Sequence, residues 1–206
     1  MSTQATVFIV DDDPGVRDSL KYMIESGGYR VEAFENARQM IDRARAMVSG
    51  CLVADLRLPG MSGLDMFDKL REIGVNLPTI VITGHGDVTA AVRAMKAGAL
   101  DFIEKPFSDQ ALLDRIGTAM QINSANQVAA QEIAQVDHCY QRLTPRERQV
   151  MAAVVEGRLN KQIASDLRLS HKTIEVHRAH VMEKMSAKSL AELVRMAVLL
   201  EQHCHV

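Results

Sequence analysis

The feature that most constrains this chain is a regular alternation, through its first half, of short β-branched runs with stretches of helical periodicity. Val7–Val10, Arg30–Phe34, Cys51–Ala54, Thr79–Thr83 and Leu100–Ile103 read as strands. Several are continuously apolar, the pattern of strands covered on both faces. Between them Val16, Leu20, Met23 and Ile24 recur at helical spacing, as do Leu64, Phe67, Leu70 and Ile73. Gly27-Gly28, Gly60, Gly74 and Gly98 punctuate the units. Five β–α units in about 120 residues predict a doubly wound, five-stranded parallel sheet with helices on both faces.

The pattern then changes. Residues 119–141 are rich in Ala and Gln and contain neither Gly nor Pro. They predict a linker over 123–141 that is at least partly helical rather than a Gly/Ser tether. After Leu143 come short helices with clear caps. Thr144-Pro145-Arg146-Glu147 is a capping box with Pro at the first helical position, and Gly157 stops that helix. Asn160 is placed to cap a second helix, Lys161–Leu167, and Ser170 a third, His171–Met185. Ser189-Leu190-Ala191-Glu192 opens a fourth, with Leu190, Leu193, Val194, Ala197 and Leu200 on one side. The expected division is an α/β domain over 1–122, the linker over 123–141 and a small all-α four-helix domain over 142–206.

Charge separates along the same line. The 206-residue chain has a net charge of −2, with 24 basic and 26 acidic side chains, which excludes a uniformly basic nucleic-acid protein. Residues 1–122 carry 13 basic against 17 acidic side chains, whereas residues 142–195 carry 11 against 6. An acidic half followed by a basic half points to different partners for the two. Aromatics at 4% without Trp argue against stacking platforms for single-stranded nucleic acid. The absence of a long apolar run or a basic leader predicts a cytoplasmic protein with no membrane partner. Three scattered cysteines, Cys51, Cys139 and Cys204, form no disulfide framework.

Chemistry in an open parallel sheet gathers beyond the carboxyl ends of its strands. The first strand ends in Asp11-Asp12-Asp13, the third in Asp55, the fourth in Thr83-Gly84, and the fifth leads to Lys105-Pro106. Converging carboxylates repel one another unless a cation lies among them, and hard oxygen donors in that number suit Mg²⁺. A hydroxyl and an ammonium beside them are groups that hold phosphoryl oxygens. The constellation reads as phosphoryl transfer onto a carboxylate. VDDD, VADLRLPGMSG, VITGHGD and DFIEKPF resemble, in order and spacing, the receiver domain of two-component response regulators, a flavodoxin-like fold, over residues 1–122. The resemblance implies that Asp55 accepts a phosphoryl group from the phosphohistidine of a sensor histidine kinase. It implies Mg²⁺ on Asp12, Asp55 and the main-chain carbonyl of Arg57, with Asp11 acting mainly through water. Lys105 would pair with the phosphoryl oxygens, Thr83 would swing to bond one of them, and Phe102 would follow that swing. The loop and helix face over 84–95 would carry the readout. Taken singly, Asp12 or Asp13 has a simpler role as the cap of the first helix.

In the third helix of the basic domain, Ile174, Val181 and Met185 fall on one side, and Lys172, Val176, Ala179 and Glu183 opposite, flanked by Glu175. The small, partly polar outer side suits a helix entering a major groove. Lys161, Lys172, His177, Arg178, Lys184 and Lys188 are placed for phosphates. The sequence LTPRERQVMAAVVEGRLNKQIASDLRLSHKTIEVHRAHVMEKMSAKSLAELV is similar throughout to the helix-turn-helix of the LuxR/NarL/FixJ group, with FixJ-type regulators nearest. That resemblance implies contacts to double-stranded promoter DNA through Thr173, Glu175, Val176 and Ala179 besides the basic set. It also implies a homodimer on phosphorylation and RNA polymerase as a further partner. At His171-Lys172 the chain departs from the Pro-Arg of many relatives. Glu175 either accepts from a cytosine amino group or forms a surface pair. His177 and His180, at i, i+3, are without evident Cys or carboxylate partners, so a phosphate-contact or surface role is expected rather than a metal one. His203-Cys204-His205 offers soft donors on a chain end expected to fray.

The expected function is thus a phosphorylation-switched transcription factor without substrate turnover of its own. Two alternatives stay open at this level. One is a DNA-binding regulator independent of phosphorylation, and the other is a Mg²⁺-dependent phosphatase working through an aspartyl-phosphate.

Overall fold

A computed structural model describes residues 5–46, 48–84 and 88–203, with the backbone alone at 88–91 and 203. It divides into two compact units, Met1–Asn126 and Gln127–Val206. The first contains β1 (Thr6–Val10), α1 (Pro14–Ser26), β2 (Arg30–Phe34), α2 (Ala37–Ala44), β3 (Gly50–Asp55), α3 (Gly63–Glu72), β4 (Thr79–Thr83), α4 (Val88–Lys96) and β5 (Asp101–Glu104). The next helix, α5 (Asp109–Gln141), begins in the first unit and ends in the second.

The strands form one parallel sheet in the order β2-β1-β3-β4-β5. Side chains alternate across a strand, so each apolar run divides between two cores. Val7, Ile9, Cys51, Val53, Ile80 and Ile82 face Leu20 and Ile24 of α1 and Leu112 and Ile116 of α5. Phe8, Val10, Leu52 and Ala54 face Met40 of α2 and Met66 and Leu70 of α3. Val81 packs with Ala94 of α4. The continuously apolar strands are buried on both faces, as expected. One expectation fails at a helix end. Ile73, grouped in sequence with the apolar stripe of α3, caps that helix and stands exposed, because the periodicity that would bury it stops at Glu72.

In this strand order the chain departs from β1 and β3 in opposite directions, so a crevice opens beyond their carboxyl ends. Asp11 follows β1 and Asp55 ends β3, so the topology sets both beside the crevice. Helix starts are fixed by local side chains. Asp13 caps α1 by accepting from the N–H groups of Gly15 and Val16 at 2.8 and 3.1 Å. Ser62 and Asp65 form a reciprocal capping box on α3.

The expected linker is helical throughout, consistent with its Ala/Gln composition and its lack of Gly and Pro. Near the start of that stretch Asn123 is buried and donates to the Ser49 hydroxyl at 3.1 Å. Further on Val136 joins the core of the second unit. That unit adds α6 (Pro145–Val155), α7 (Asn160–Leu167), α8 (His171–Lys184) and α9 (Leu190–His203). Its core joins Leu143, Val150, Val154, Ile163, Ile174, Val181, Met185, Leu193 and Leu200. The Thr144 capping box and the Ser170 cap form as expected. Asn160 is not a cap but the first residue of α7; the N–H of Leu159 instead donates to the Gln162 side chain at 2.9 Å. Leu190, assigned to the apolar side of α9, opens that helix and is exposed, while Leu193, Ala197 and Leu200 are buried.

Gly50 opens β3 at φ 140°, and a Cβ there would lie 1.8 Å from the Thr6 carbonyl oxygen on β1. Neither backbone can yield without breaking the β1–β3 pairing that shapes the crevice. Gly50→Ala is expected to cost at least about 2 kcal/mol, readable as a lowered urea midpoint for the first unit.

Candidate functional site

Three strand ends contribute to one acidic pocket. Lys105, just past β5, places its Nζ 2.7 Å from Asp55 Oδ2 and 3.1 Å from Asp11 Oδ2, so one ammonium bridges two carboxylates. The other oxygen of Asp55, Oδ1, accepts the N–H of Arg57 at 2.8 Å. Asp11 is 1% exposed and accepts the N–H of Asp13 at 3.0 Å. Thr83 ends β4 buried, its hydroxyl donating to the Gly84 carbonyl at 3.3 Å, and its own carbonyl accepts the N–H of Lys105. Phe102, on β5, is 40% exposed. Asp12 is exposed beside the pocket, whereas Asp13 is committed to capping α1. His85, Gly86 and Asp87 of the VITGHGD motif lie outside the described residues, as does part of the 84–95 readout segment.

The electrostatics show a pocket short of positive charge. Burial pushes the Asp11 carboxyl above its ordinary range, and Asp55 nearby adds to that, although the Asp13 N–H and Lys105 act against it. Burial also works against the Lys105 ammonium, but its bonds to Asp55 and Asp11 outweigh that and hold it charged. A buried carboxylate raised despite an adjacent lysine is stabilised in its charged form by a further cation. The carboxylate oxygens of Asp11 and Asp55, both bonded to Lys105, are hard donors of the kind that suits Mg²⁺.

Two supporting contacts were not foreseen from the sequence. Arg17, one turn into α1, donates to the carbonyl oxygens of Asp11 and Asp12 at 2.8 and 3.4 Å and so ties down the acidic loop. Its place four residues after Asp13, on a helix leaving the loop, was the available signal. Gly63 opens α3 against β3, where a Cβ would meet the Asp55 carbonyl oxygen at 2.4 Å. Only glycine permits that approach.

In the second unit, α8 buries Ile174 and Val181 and exposes Lys172, Glu175, Val176, Ala179 and Glu183, as the periodicity requires. Thr173 is tied to Ser170 at the helix start. Glu175 stands 3.4 Å from His171 Nδ1, the surface pairing considered for it. Lys161 and Lys188 are exposed. Arg178 is half-buried and donates to Asn160 Oδ1 at 2.8 Å, tying α8 to α7. His177 is also half-buried, and its Nδ1 is buried without a hydrogen-bond partner.

Lys184 corrects its expected role. Rather than standing free for phosphate, it binds both oxygens of the buried Glu147 carboxylate, at 2.9 and 2.7 Å. The reason is desolvation: Glu147 is 3% exposed on α6, and a buried carboxylate needs a partner. Burial works to keep Glu147 protonated, but Lys184 and the Thr144 N–H override it and hold its pKa down to about 2.

The chain thus joins a parallel α/β unit to a helical unit whose α8 is exposed along one side. The family model described as response regulator receiver domain matches residues 7–117, and that described as bacterial regulatory proteins, luxR family, matches residues 141–197. The transcriptional regulatory protein FixJ of Rhizobium meliloti is 48% identical over 95% of this chain and 96% of its own length. Nodulation protein W of Bradyrhizobium diazoefficiens is 45% identical over 97% of this chain and 88% of its own. The solved structure of the response regulator StyR superposes with a TM-score of 0.83 at 42% identity, over 95% of this chain and 99% of that one. The chain belongs to the response-regulator family, in the group that joins a receiver domain to a LuxR-type DNA-binding domain. That construction is typical of transcriptional regulators rather than enzymes. Among the described residues no helix is long and apolar enough to cross a membrane.

The Glu147–Lys184 pair predicts a pH signature. Because the Glu147 pKa falls from 4.5 to about 2 on folding, the associated stability is complete above pH 4.5 and lost as pH drops through about 2. Glu147→Gln is expected to cost roughly 2–3 kcal/mol at neutral pH, read from faster hydrogen exchange of α8 amides. The gap to the unsubstituted protein should narrow below pH 4.5.

Proposed function

We propose that the chain is a cytoplasmic transcription factor switched by phosphorylation of Asp55, with residues 1–122 as receiver, 123–141 as connector and 142–206 as DNA-binding domain. The observation that carries this reading is the Lys105 ammonium shared between Asp55 and Asp11. It fixes one oxygen of Asp55 while the Arg57 N–H fixes the other, so the carboxyl group is oriented at the pocket as a nucleophile toward phosphorus must be.

In the proposed reaction Asp55 attacks the phosphorus of phosphohistidine on a sensor histidine kinase. The new O–P bond forms in line with the breaking P–N bond, and the imidazole leaves to take up a proton. Asp12, Asp55 and the Arg57 carbonyl would hold Mg²⁺, with Asp11 acting mainly through water, and the bound ion would supply charge compensation for the phosphoryl oxygens. Lys105 then pairs with a phosphoryl oxygen in place of the Asp55 carboxylate. Thr83 exchanges its bond to Gly84 for one to the phosphoryl group, and Phe102 moves into the space released. Arg17 keeps the Asp11-Asp12 backbone fixed throughout. The new charge biases a two-state surface around α4 and β5. No turnover of an independent substrate is expected.

The output is a homodimer presenting two copies of α8 to a two-fold promoter site, so that two weak contacts become one avid one. Thr173, Glu175, Val176 and Ala179 are the base-facing candidates, and Lys161, Lys172, Arg178 and Lys188 the phosphate contacts, with Lys184 left to Glu147 and the Nδ1 of His177 buried. RNA polymerase is the downstream partner. The fixed Asp55–Lys105 geometry favours this reading over a phosphorylation-independent one. The helical unit has no place in the phosphatase alternative.

Acetyl phosphate with Mg²⁺ is expected to add one phosphoryl group, shift the protein to dimer and tighten promoter binding. Asp55→Asn should lose all three, by intact-mass measurement, sedimentation and DNA mobility shift. Thr83→Ala should keep phosphorylation but lose most of the dimer shift. Phosphate-dependent dimerisation that survives Asp55→Asn would refute the proposal.

A further inference from the structure

Away from the acidic pocket, the second unit gathers another set of donors. His177 and His180 stand at i, i+3 on α8 and therefore share one side of that helix. A carboxylate partner comes from α6: one donor atom each of Glu147, His177 and His180 lies within 4.8 Å of the others. This corrects the expectation that the two histidines have no carboxylate partner.

Three further observations bear on what this group does. Glu147 is almost fully buried, so the site demands a cation wherever Glu147 is ionised. The buried Nδ1 of His177 has no hydrogen-bond partner. His180 is half exposed, with Nδ1 3.6 Å from Glu147 Oε1, and leaves a way in from solvent.

We propose that Glu147, His177 and His180 form a binding site for a divalent transition-metal cation of the Zn²⁺ type, which takes over the Glu147 carboxylate from Lys184. Two imidazoles and one carboxylate suit such an ion rather than Mg²⁺ or Ca²⁺, and three protein ligands leave a fourth position for water. Ligand distances of about 2.0–2.2 Å require the three donors to draw closer together, a movement available to the exposed His180 ring. Lys184 can leave because its side chain is 30% exposed on a flexible stem. One cation replaces another, so the buried carboxylate is never left uncompensated. The bound ion would pin α8 to α6 at two points and return Lys184 to the surface of the DNA-facing helix. This site stands independently of the phosphorylation reading.

The test uses the full-length, chelator-stripped protein, titrated with Zn²⁺ by calorimetry in excess Mg²⁺ so that the acidic pocket is already filled. One equivalent should bind, at least about 10-fold more weakly in His180→Gln and in His177→Gln. Circular dichroism checks that both variants keep their helices, and His180→Gln, at an exposed position, supplies the decisive comparison. Replacing His203, Cys204 and His205 together by Ala should leave the affinity unchanged, and X-ray absorption should show nitrogen and oxygen ligands without sulfur. No binding, affinity retained in His180→Gln, loss with the tail substitutions, or sulfur ligation would each overturn the proposal.

Discussion

One ammonium group holds together what the parallel sheet brings close. Lys105 reaches Asp11 and Asp55 from a third strand end, and without it the buried Asp11 carboxylate and the partly buried Asp55 carboxylate would face each other without a counter-charge. That arrangement depends on the strand order. Only because β1 and β3 are neighbours and β5 lies beyond β4 do residues so distant in sequence converge. The glycines at 50 and 63 serve the same end, since each lets backbone approach where a side chain would block it. The pocket therefore combines an oriented carboxyl group, a shared counter-charge and a buried carboxyl whose pKa stays raised despite that charge.

The helical unit solves a similar problem with another lysine. Glu147 caps its own helix start through Thr144 and, once buried there, draws Lys184 inward from α8. Two requirements, capping α6 and neutralising a buried charge, thus tie α8 to α6. Arg178 adds a second tie through Asn160 on α7. Of the six residues placed for phosphate contact, Lys184 is therefore engaged inside the unit, and Arg178 has one nitrogen bonded there. Lys161, Lys172 and Lys188 are exposed, as are Val176 and Ala179 on α8.

Much of this was legible in the sequence because it is periodic or local. Five strands, the two-sided burial of the apolar runs, the Thr144 capping box and the Ser170 cap follow from spacing alone. Misreadings fall where a pattern meets the end of an element. Ile73 and Leu190 continue an apolar stripe in sequence but occupy helix termini, where the stripe no longer faces the core. Asn160 has the chemistry of a cap, yet its side chain is taken by Arg178 and the cap position shifts to Leu159. Of the two aspartates that could have capped α1, only geometry assigns the task to Asp13 and leaves Asp12 free.

By itself the sequence determined the fold class, the division into an acidic and a basic half, and the identities of the residues at the strand ends. These rest on side-chain period, β-branching and charge, which act over a few residues. Tertiary structure decided which of those residues act together: Lys105 with both carboxylates, Arg17 on the acidic loop, Lys184 with Glu147, and the two histidines with a carboxylate from another helix. Those pairings are set by packing between elements far apart in the chain. Their cause is the cost of burying charge without a partner, and no local pattern records it.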